Sequence, residues 1–157
     1  MPLFVLSPAS LAHSALFAGY YSYLGASVIS LRMKTGLTLG EGDSPSIRLN
    51  SKSPNAQDDT KLKQAVRAHA NFNETVPLGF FLIFLAELNG APTSLVHAAY
   101  TTLFLSRVAH ALGITAPNAS GRGRPIGAAG TLLVTLGAGL YNLNLGWEPL
   151  KSFLGFK

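Results

Sequence analysis

Long apolar segments constrain the fold of this sequence more than any other feature. Residues 126–145 contain no charged side chain, and residues 11–31 are interrupted by His13 and a few hydroxyl groups. A helix needs about 20 mostly apolar residues to cross the hydrocarbon layer of a bilayer. The pattern predicts an all-α fold, an integral membrane four-helix bundle in a single domain over residues 1–157, with spans at about 10–33, 62–88, 93–114 and 126–146.

The composition of the chain also favours a membrane setting. Charged residues make up 12% of the chain, compared with about 25% in soluble domains. The net charge of +5 comes from basic residues that cluster in connecting segments and do not alternate with exposed aromatic side chains. This arrangement argues against nucleic acid and favours membrane phosphates or an anionic substrate as partners. Since the chain has no cysteine, disulfides, thiolate metal ligands and a cysteine nucleophile are excluded, and no metal-binding residue is predicted.

A polar cluster, RAHANFNETVP at residues 67–77, leads directly into an apolar run. On a helix, Arg67, Asn71 and Glu74 fall on one face, whereas His69 points to roughly the opposite side. An unpaired charge in hydrocarbon costs at least about 2.5 kcal/mol, so we expect Glu74 to face the bundle interior and meet a partner from another helix or subunit. The cluster is suited to holding a small zwitterionic molecule; the alternative is that it only joins neighbouring helices.

Further basic side chains lie at the same predicted end of the bundle. Arg107 and His110 are three residues apart on one face of the third segment, near the end that returns to the membrane side of the polar cluster. Arg122 and Arg124 lie in the polar loop that follows. Arg32 closes the first segment, where it is either a snorkelling anchor at the headgroups or a ligand contact.

The distribution of basic residues predicts the orientation of the bundle. The first loop, from Arg32 to Lys63, holds six basic residues, the third holds two, and the second, at residues 89–92, holds none. By the positive-inside rule, loops one and three lie in the cytoplasm and both termini lie outside. We therefore expect a multi-pass protein of the inner membrane in a bacterium, or of the endoplasmic reticulum or another internal membrane in a eukaryote.

Three stretches of the chain resemble one protein family. They are RAHANFNETVP at residues 67–77, ELNGAP at residues 87–92 and SRVAHALG at residues 106–113. Together they closely resemble the MAPEG superfamily (membrane-associated proteins in eicosanoid and glutathione metabolism), and most of all its branch found in bacteria and fungi. The resemblance implies a left-handed four-helix bundle assembled as a homotrimer, with glutathione bound between subunits near the cytosolic side.

The resemblance also implies a set of glutathione-binding residues. The residues at matching family positions are Arg32, Arg67, His69, Asn71, Glu74, Arg107 and His110. Glutathione carries two carboxylates and one ammonium group. Arginines are therefore expected to bind the carboxylates in bidentate fashion, while Glu74 takes the ammonium.

The chain departs from the family at the positions nearest the thiol. Eicosanoid-synthesising branches place a tyrosine where this chain has Ile114 and an arginine where it has Gly127, and an arginine of the second helix is replaced by Ala70. A thiol with a pKa of about 8.5 is only a few per cent thiolate at pH 7, so catalysis requires a nearby cation. Arg124 and Arg122 are the candidate catalytic residues, and their spacing does not decide between them.

The leading functional hypothesis is a membrane-bound glutathione transferase or peroxidase. In it, the glutathione thiolate attacks a lipophilic electrophile or hydroperoxide that enters from the bilayer. The alternative is a non-catalytic membrane scaffold or regulatory protein that retains the bundle and binds a thiol or lipid, and the lost tyrosine and arginine favour it. A small transporter is a weaker third hypothesis because the fourth segment offers no polar path.

Overall fold

The computed structural model describes residues 6–37, 39–40 and 56–155, and every regular element among them is helical. The predicted all-α class is therefore confirmed, while most of the first loop lies outside the described residues. The helices, in chain order, are α1 (Pro8–Thr35), α2 (Ala56–Leu88), α3 (Thr93–Thr115), a 3-10 turn (Pro117–Ala119), α4 (Gly123–Leu145) and α5 (Trp147–Leu154).

Four long helices, α1 to α4, occupy the positions of the four predicted spans. Within the described part of the chain, α4 alone is a candidate membrane span by length and composition, with a mean hydropathy of 1.4. The other three are long enough, but hydroxyl, histidine and charged side chains interrupt their apolar residues. That each of these helices crosses a membrane stays a prediction.

Glycines and prolines set where the helices end. Gly36 adopts a left-handed conformation with φ of 73° and donates its N–H to the Arg32 carbonyl, which closes α1. Gly90, with φ of 85°, makes the turn after α2, and Pro92 precedes the first residue of α3. Positive φ is readily accessible to glycine because it lacks a Cβ atom. The result is a short turn that lays α2 and α3 side by side, as the Asn89–Pro92 sequence predicts.

An aromatic core joins α1, α2 and α3, whereas the outer surface of the bundle is apolar. Phe17 packs edge-to-face against Phe80 and against Phe104, each with ring centroids 5.4 Å apart. Large apolar side chains are exposed on all four long helices, for example Leu16, Phe81, Leu105 and Leu133. Extended apolar surface of this kind marks contact with lipid or with another protein.

Helices α3 and α4 approach most closely at glycines. A Cβ atom on Gly127 would meet the Ser106 carbonyl oxygen and lie 2.6 Å from the His110 backbone nitrogen. By contrast, a Cβ atom on Gly137 or Gly139 would have no described atom within 4 Å. The closest glycine contacts between α3 and α4 therefore lie in the first half of α4, next to the loop that carries Arg122 and Arg124.

Glu87, the charged residue within the apolar part of α2, caps the start of α1. Its carboxylate accepts hydrogen bonds from the Ala9 N–H at 2.8 Å and the Ser10 N–H at 2.9 Å, and also from the Ser10 hydroxyl. The first N–H groups of a helix have no partner within the helix, and the helix dipole favours a negative charge there. Glu87 thus fastens the beginning of α1 to the end of α2.

We expect Glu87→Ala to lower the free energy of unfolding by about 1–3 kcal/mol, because it leaves buried N–H groups without an acceptor. The measurement is thermal unfolding of the purified protein in detergent. Glu148→Ala is the matched control, since Glu148 is exposed and pairs only with Lys151 among the described residues, a type of pair that is worth little. Equal losses in the two variants would contradict the capping role.

Candidate functional site

An open groove of about 480 Å³ lies beside the first half of α2, at the end of the bundle where α3 passes into α4. It brings together three of the predicted site residues, Arg67, Asn71 and Arg124. The described residues that line it are Thr60, Lys63, Gln64, Arg67, Asn71, Ile114, Ala119 and Arg124.

The helical repeat of α2 produces one wall of this groove. Lys63, Arg67 and Asn71 are four residues apart, so their side chains follow one face of the helix. The Asn71 amide donates to the Arg67 carbonyl at 3.1 Å, which holds the amide on the helix surface. Gln64 donates to the Ala116 carbonyl at 3.0 Å and so ties this face of α2 to the end of α3.

The charge of the groove is one-sided. Lys63, Arg67 and Arg124 are among the described residues that line it, and none of those described residues is a carboxylate. Arginine offers a planar fork of donors that matches a carboxylate. The groove is therefore suited to an anion with more than one carboxylate.

Glu74 lies outside this lining. It is one turn of α2 beyond Asn71 and is exposed on the surface of the protomer. A single protomer thus does not bury the Glu74 carboxylate, which was predicted to face a bundle interior. A place between subunits for Glu74, and its contact with an ammonium group, stay predictions.

His69 lies on the opposite side of α2, as its spacing from Arg67 predicts. Its ring packs against Tyr21 of α1, with centroids 4.8 Å apart and ring planes tilted by 41°. Its Nε2 atom is buried and has no hydrogen-bond partner among the described residues. Since His69 does not line the groove, its role toward glutathione stays a prediction.

Arg107 and His110 are buried between α3 and α4, with exposed fractions of 3% and 7%. Arg107 donates to the Thr131 hydroxyl at 3.2 Å. His110 Nδ1 lies 2.8 Å from the Arg124 carbonyl oxygen and donates to it. Neither residue lines the groove, but His110 fixes the backbone of a residue that does. Their direct contact with glutathione stays a prediction.

The two candidate catalytic arginines differ in position. Arg124 lines the groove. Arg122 is exposed immediately before α4 and is not among the lining residues. Of the two, Arg124 is the one that lines the groove, and its position beside a bound thiol stays a prediction. Arg32 is half-buried and donates to the Leu37 carbonyl at 3.2 Å, so within one protomer it serves the end of α1.

Two of the three departures from the family pattern, Ile114 and Gly127, have different structural settings. Ile114 is 5% exposed and lines the groove, so the position of the family tyrosine is occupied here by an apolar side chain. Gly127 faces the backbone of α3 with no space for a Cβ atom. In this helix packing there is no room for an arginine at residue 127.

Sequence reasoning missed Thr60, Lys63 and Gln64 as groove residues. Their signal was present, because they lie seven, four and three residues before Arg67, respectively, and so share its helical face. Attention to the continuous polar stripe, rather than to the family motif, would have found them.

Comparison with known proteins gives the same family as the motifs. The sequence profile of the MAPEG family matches residues 10–144. The inner membrane protein YecN of Escherichia coli strain K12 is 29% identical over 100 residues, which cover 64% of this chain and 63% of YecN. YecN of Escherichia coli O6:H1 matches with the same values. The match thus spans less than two thirds of the length of these relatives. No solved structure matches the chain significantly.

Proposed function

The chain belongs to the MAPEG family, and on that premise we propose that it is a membrane-bound glutathione transferase or peroxidase. Its relatives named YecN are inner membrane proteins, and we extend this setting to the present chain as a multi-pass protein. The proposed cosubstrate is glutathione, and the second substrate is a lipophilic electrophile or hydroperoxide that arrives through the bilayer.

The observation that carries this proposal is the groove lined by Arg67, Asn71 and Arg124. In the proposed complex, Arg67 and Lys63 bind the carboxylates of glutathione, and the Asn71 amide binds its peptide backbone. The charge-assisted bonds between arginine and carboxylate are about twice as strong as neutral hydrogen bonds. Arg124 lies across the groove from α2, where it would face the thiol.

A homotrimer completes the proposed site. The groove opens on the surface of the protomer, and Glu74 is exposed one turn further along α2. A neighbouring protomer that covers this surface would bury Glu74 beside the ammonium of glutathione. The positive ammonium would then offset the cost of placing the Glu74 charge at membrane depth. The same neighbour would supply Arg32, which one protomer keeps outside the groove.

The proposed chemistry needs a stabilised thiolate. The Arg124 guanidinium favours the charged form of sulfur, and the proton leaves to water or a nearby base. In the transferase reaction, sulfur bonds to the electrophilic carbon and the leaving group departs with its electron pair. In the peroxidase reaction, the glutathione sulfur takes the terminal oxygen of the hydroperoxide and an alcohol is released. A second glutathione then reduces the resulting glutathione sulfenic acid, which gives glutathione disulfide and water.

A non-catalytic scaffold or regulatory protein is the second candidate function. The apolar Ile114 beside the groove and the absence of space at Gly127 favour it, since both remove groups that other branches place near the thiol. It predicts glutathione or lipid binding without thiolate formation. A thiolate difference spectrum on adding glutathione therefore separates the two candidates without knowledge of the second substrate.

We expect Arg67→Ala to weaken glutathione binding by about 10–100-fold, since loss of a hydrogen bond to a charged group costs about 1.5–3 kcal/mol. Isothermal titration of the purified protein with glutathione measures the effect. Lys61→Ala is the matched control, because Lys61 is an exposed cation of α2 outside the groove lining. Equal affinities of the two variants would contradict the assigned site, and no binding by the unaltered protein would contradict the proposed function.

A further inference from the structure

The last helix, α5, is apolar on one side and has no buried residue within the protomer. Trp147, Leu150, Phe153 and Leu154 are exposed, and Phe153 is 87% accessible. The helix follows α4 directly, with Gly146 between them. Neither α4 nor any other described element covers this apolar side.

The residues of α5 separate cleanly by polarity around the helix. Trp147, Leu150 and Leu154 are three and seven residues apart and share one face, which Phe153 widens. The polar residues lie opposite: Glu148, Lys151 and Ser152. Lys151 and Glu148 form an ion pair at 2.9 Å across one turn, so the polar face is matched in charge.

The length of α5 decides what can cover its apolar face. Eight residues make a helix of about 12 Å, far short of the roughly 30 Å of a hydrocarbon layer. A helix this short with a charged face cannot cross a membrane and must keep that face in water. An amphipathic helix in this situation lies in the plane of the membrane surface, with its apolar side about 5–10 Å deep at the boundary of headgroups and acyl chains.

The last turns of α4, which lead into α5, also expose apolar side chains. Leu136, Leu140 and Leu143 are exposed along the last turns of α4, which is the candidate membrane span. Gly146 stands where the chain passes from one helix to the next, with φ of −88° and ψ of 2°. An α4 that ends at the membrane surface therefore delivers α5 to that surface.

We infer that α5 is an interfacial membrane anchor, whose apolar face is covered by the headgroup region of the bilayer. It lies at the end of the bundle that holds the turn between α2 and α3, because Tyr141 near the end of α4 and Ala91 in that turn line one pocket. This is the end opposite the glutathione groove. The inference depends on membrane insertion of α4 and not on any reaction with glutathione.

Trp147 is the single tryptophan of the chain, so its fluorescence reports on α5 alone. We expect, for the full-length protein in phosphatidylcholine vesicles, strong quenching by nitroxide lipids labelled near the glycerol backbone and severalfold weaker quenching by lipids labelled at the bilayer centre. Acrylamide in the water should quench Trp147 weakly. Strong acrylamide quenching would overturn the inference by showing a helix in water, and quenching by neither probe would overturn it by showing α5 packed against protein.

Two variants test which face of α5 contacts the membrane. Phe153→Glu puts a charge on the apolar face and should raise acrylamide quenching of Trp147 severalfold. Ser152→Glu adds the same charge to the polar face and should leave the quenching unchanged. Equal responses of the two variants would overturn the assigned orientation. Glutathione binding should persist in both variants, which keeps this test separate from that of the proposed function.

Discussion

Gly127→Ala is expected to destabilise the bundle by about 3 kcal/mol or more, at or above the upper end of the usual cost of overpacking. The added methyl group would meet the Ser106 carbonyl oxygen and the His110 backbone nitrogen. Backbone atoms cannot move aside as the end of a flexible side chain can, so α3 and α4 would have to separate. Thermal unfolding in detergent measures the loss.

Gly137→Ala is the matched control for this effect, because no described atom lies within 4 Å of the added methyl group. Alanine is favoured over glycine in a helix by about 1 kcal/mol, so this variant should be as stable as the unaltered protein or slightly more so. Equal destabilisation by the two substitutions would contradict the close contact of α3 with α4 at Gly127.

Arg124→Ala is expected to lower the rate of glutathione-dependent turnover by about 10²–10³-fold, the usual loss when an aligned electrostatic group is removed from an active site. The reason is the loss of the cation that lines the groove and that, in the proposed mechanism, stabilises the thiolate. The measurement is turnover of chlorodinitrobenzene together with the thiolate difference spectrum. Both signals should fall, whereas glutathione affinity should fall less, because Arg67 and Lys63 remain.

Two further variants make the Arg124 result specific. Arg122→Ala removes an exposed arginine outside the groove lining and should leave turnover close to that of the unaltered protein. Arg124→Lys retains a cation and should recover part of the thiolate signal. The bond from His110 goes to the Arg124 backbone carbonyl, so these side-chain changes leave it in place. A larger loss from Arg122→Ala than from Arg124→Ala would reverse the assignment of the catalytic cation.

Local spacing was enough to predict the helices and one wall of the candidate site. Apolar segments of about bilayer length predicted the four long helices, because length and periodicity are properties of adjacent residues. The same rule placed Arg67 and Asn71 on one face of α2 and His69 on the other. The structure agrees with each of these expectations.

The spacing of residues along the sequence could not predict contacts between residues that are distant in the chain. The sequence marks Glu87 as an interruption of an apolar run, but its partners, Ala9 and Ser10, lie more than 70 residues away. The side on which His110 meets α4 depends on the angle at which α3 and α4 cross. The glycines in the sequence show that a close crossing is possible, but they do not determine its angle. The sequence spacing likewise could not predict the neighbours of Glu74 in an assembly, because they would come from other copies of the chain.

The cap that Glu87 places on α1 has a consequence for how the protein enters its membrane. Glu87, which accepts hydrogen bonds from the first N–H groups of α1, lies near the end of α2 and is synthesised after α1. In the predicted topology, Glu87 is carried to the far side of the bilayer. The amino-terminal helix therefore gains its final hydrogen bonds only when the second helix has been threaded across. In that predicted topology, we expect the insertion of these two helices to be coupled, so that they reach their mature state as one hairpin.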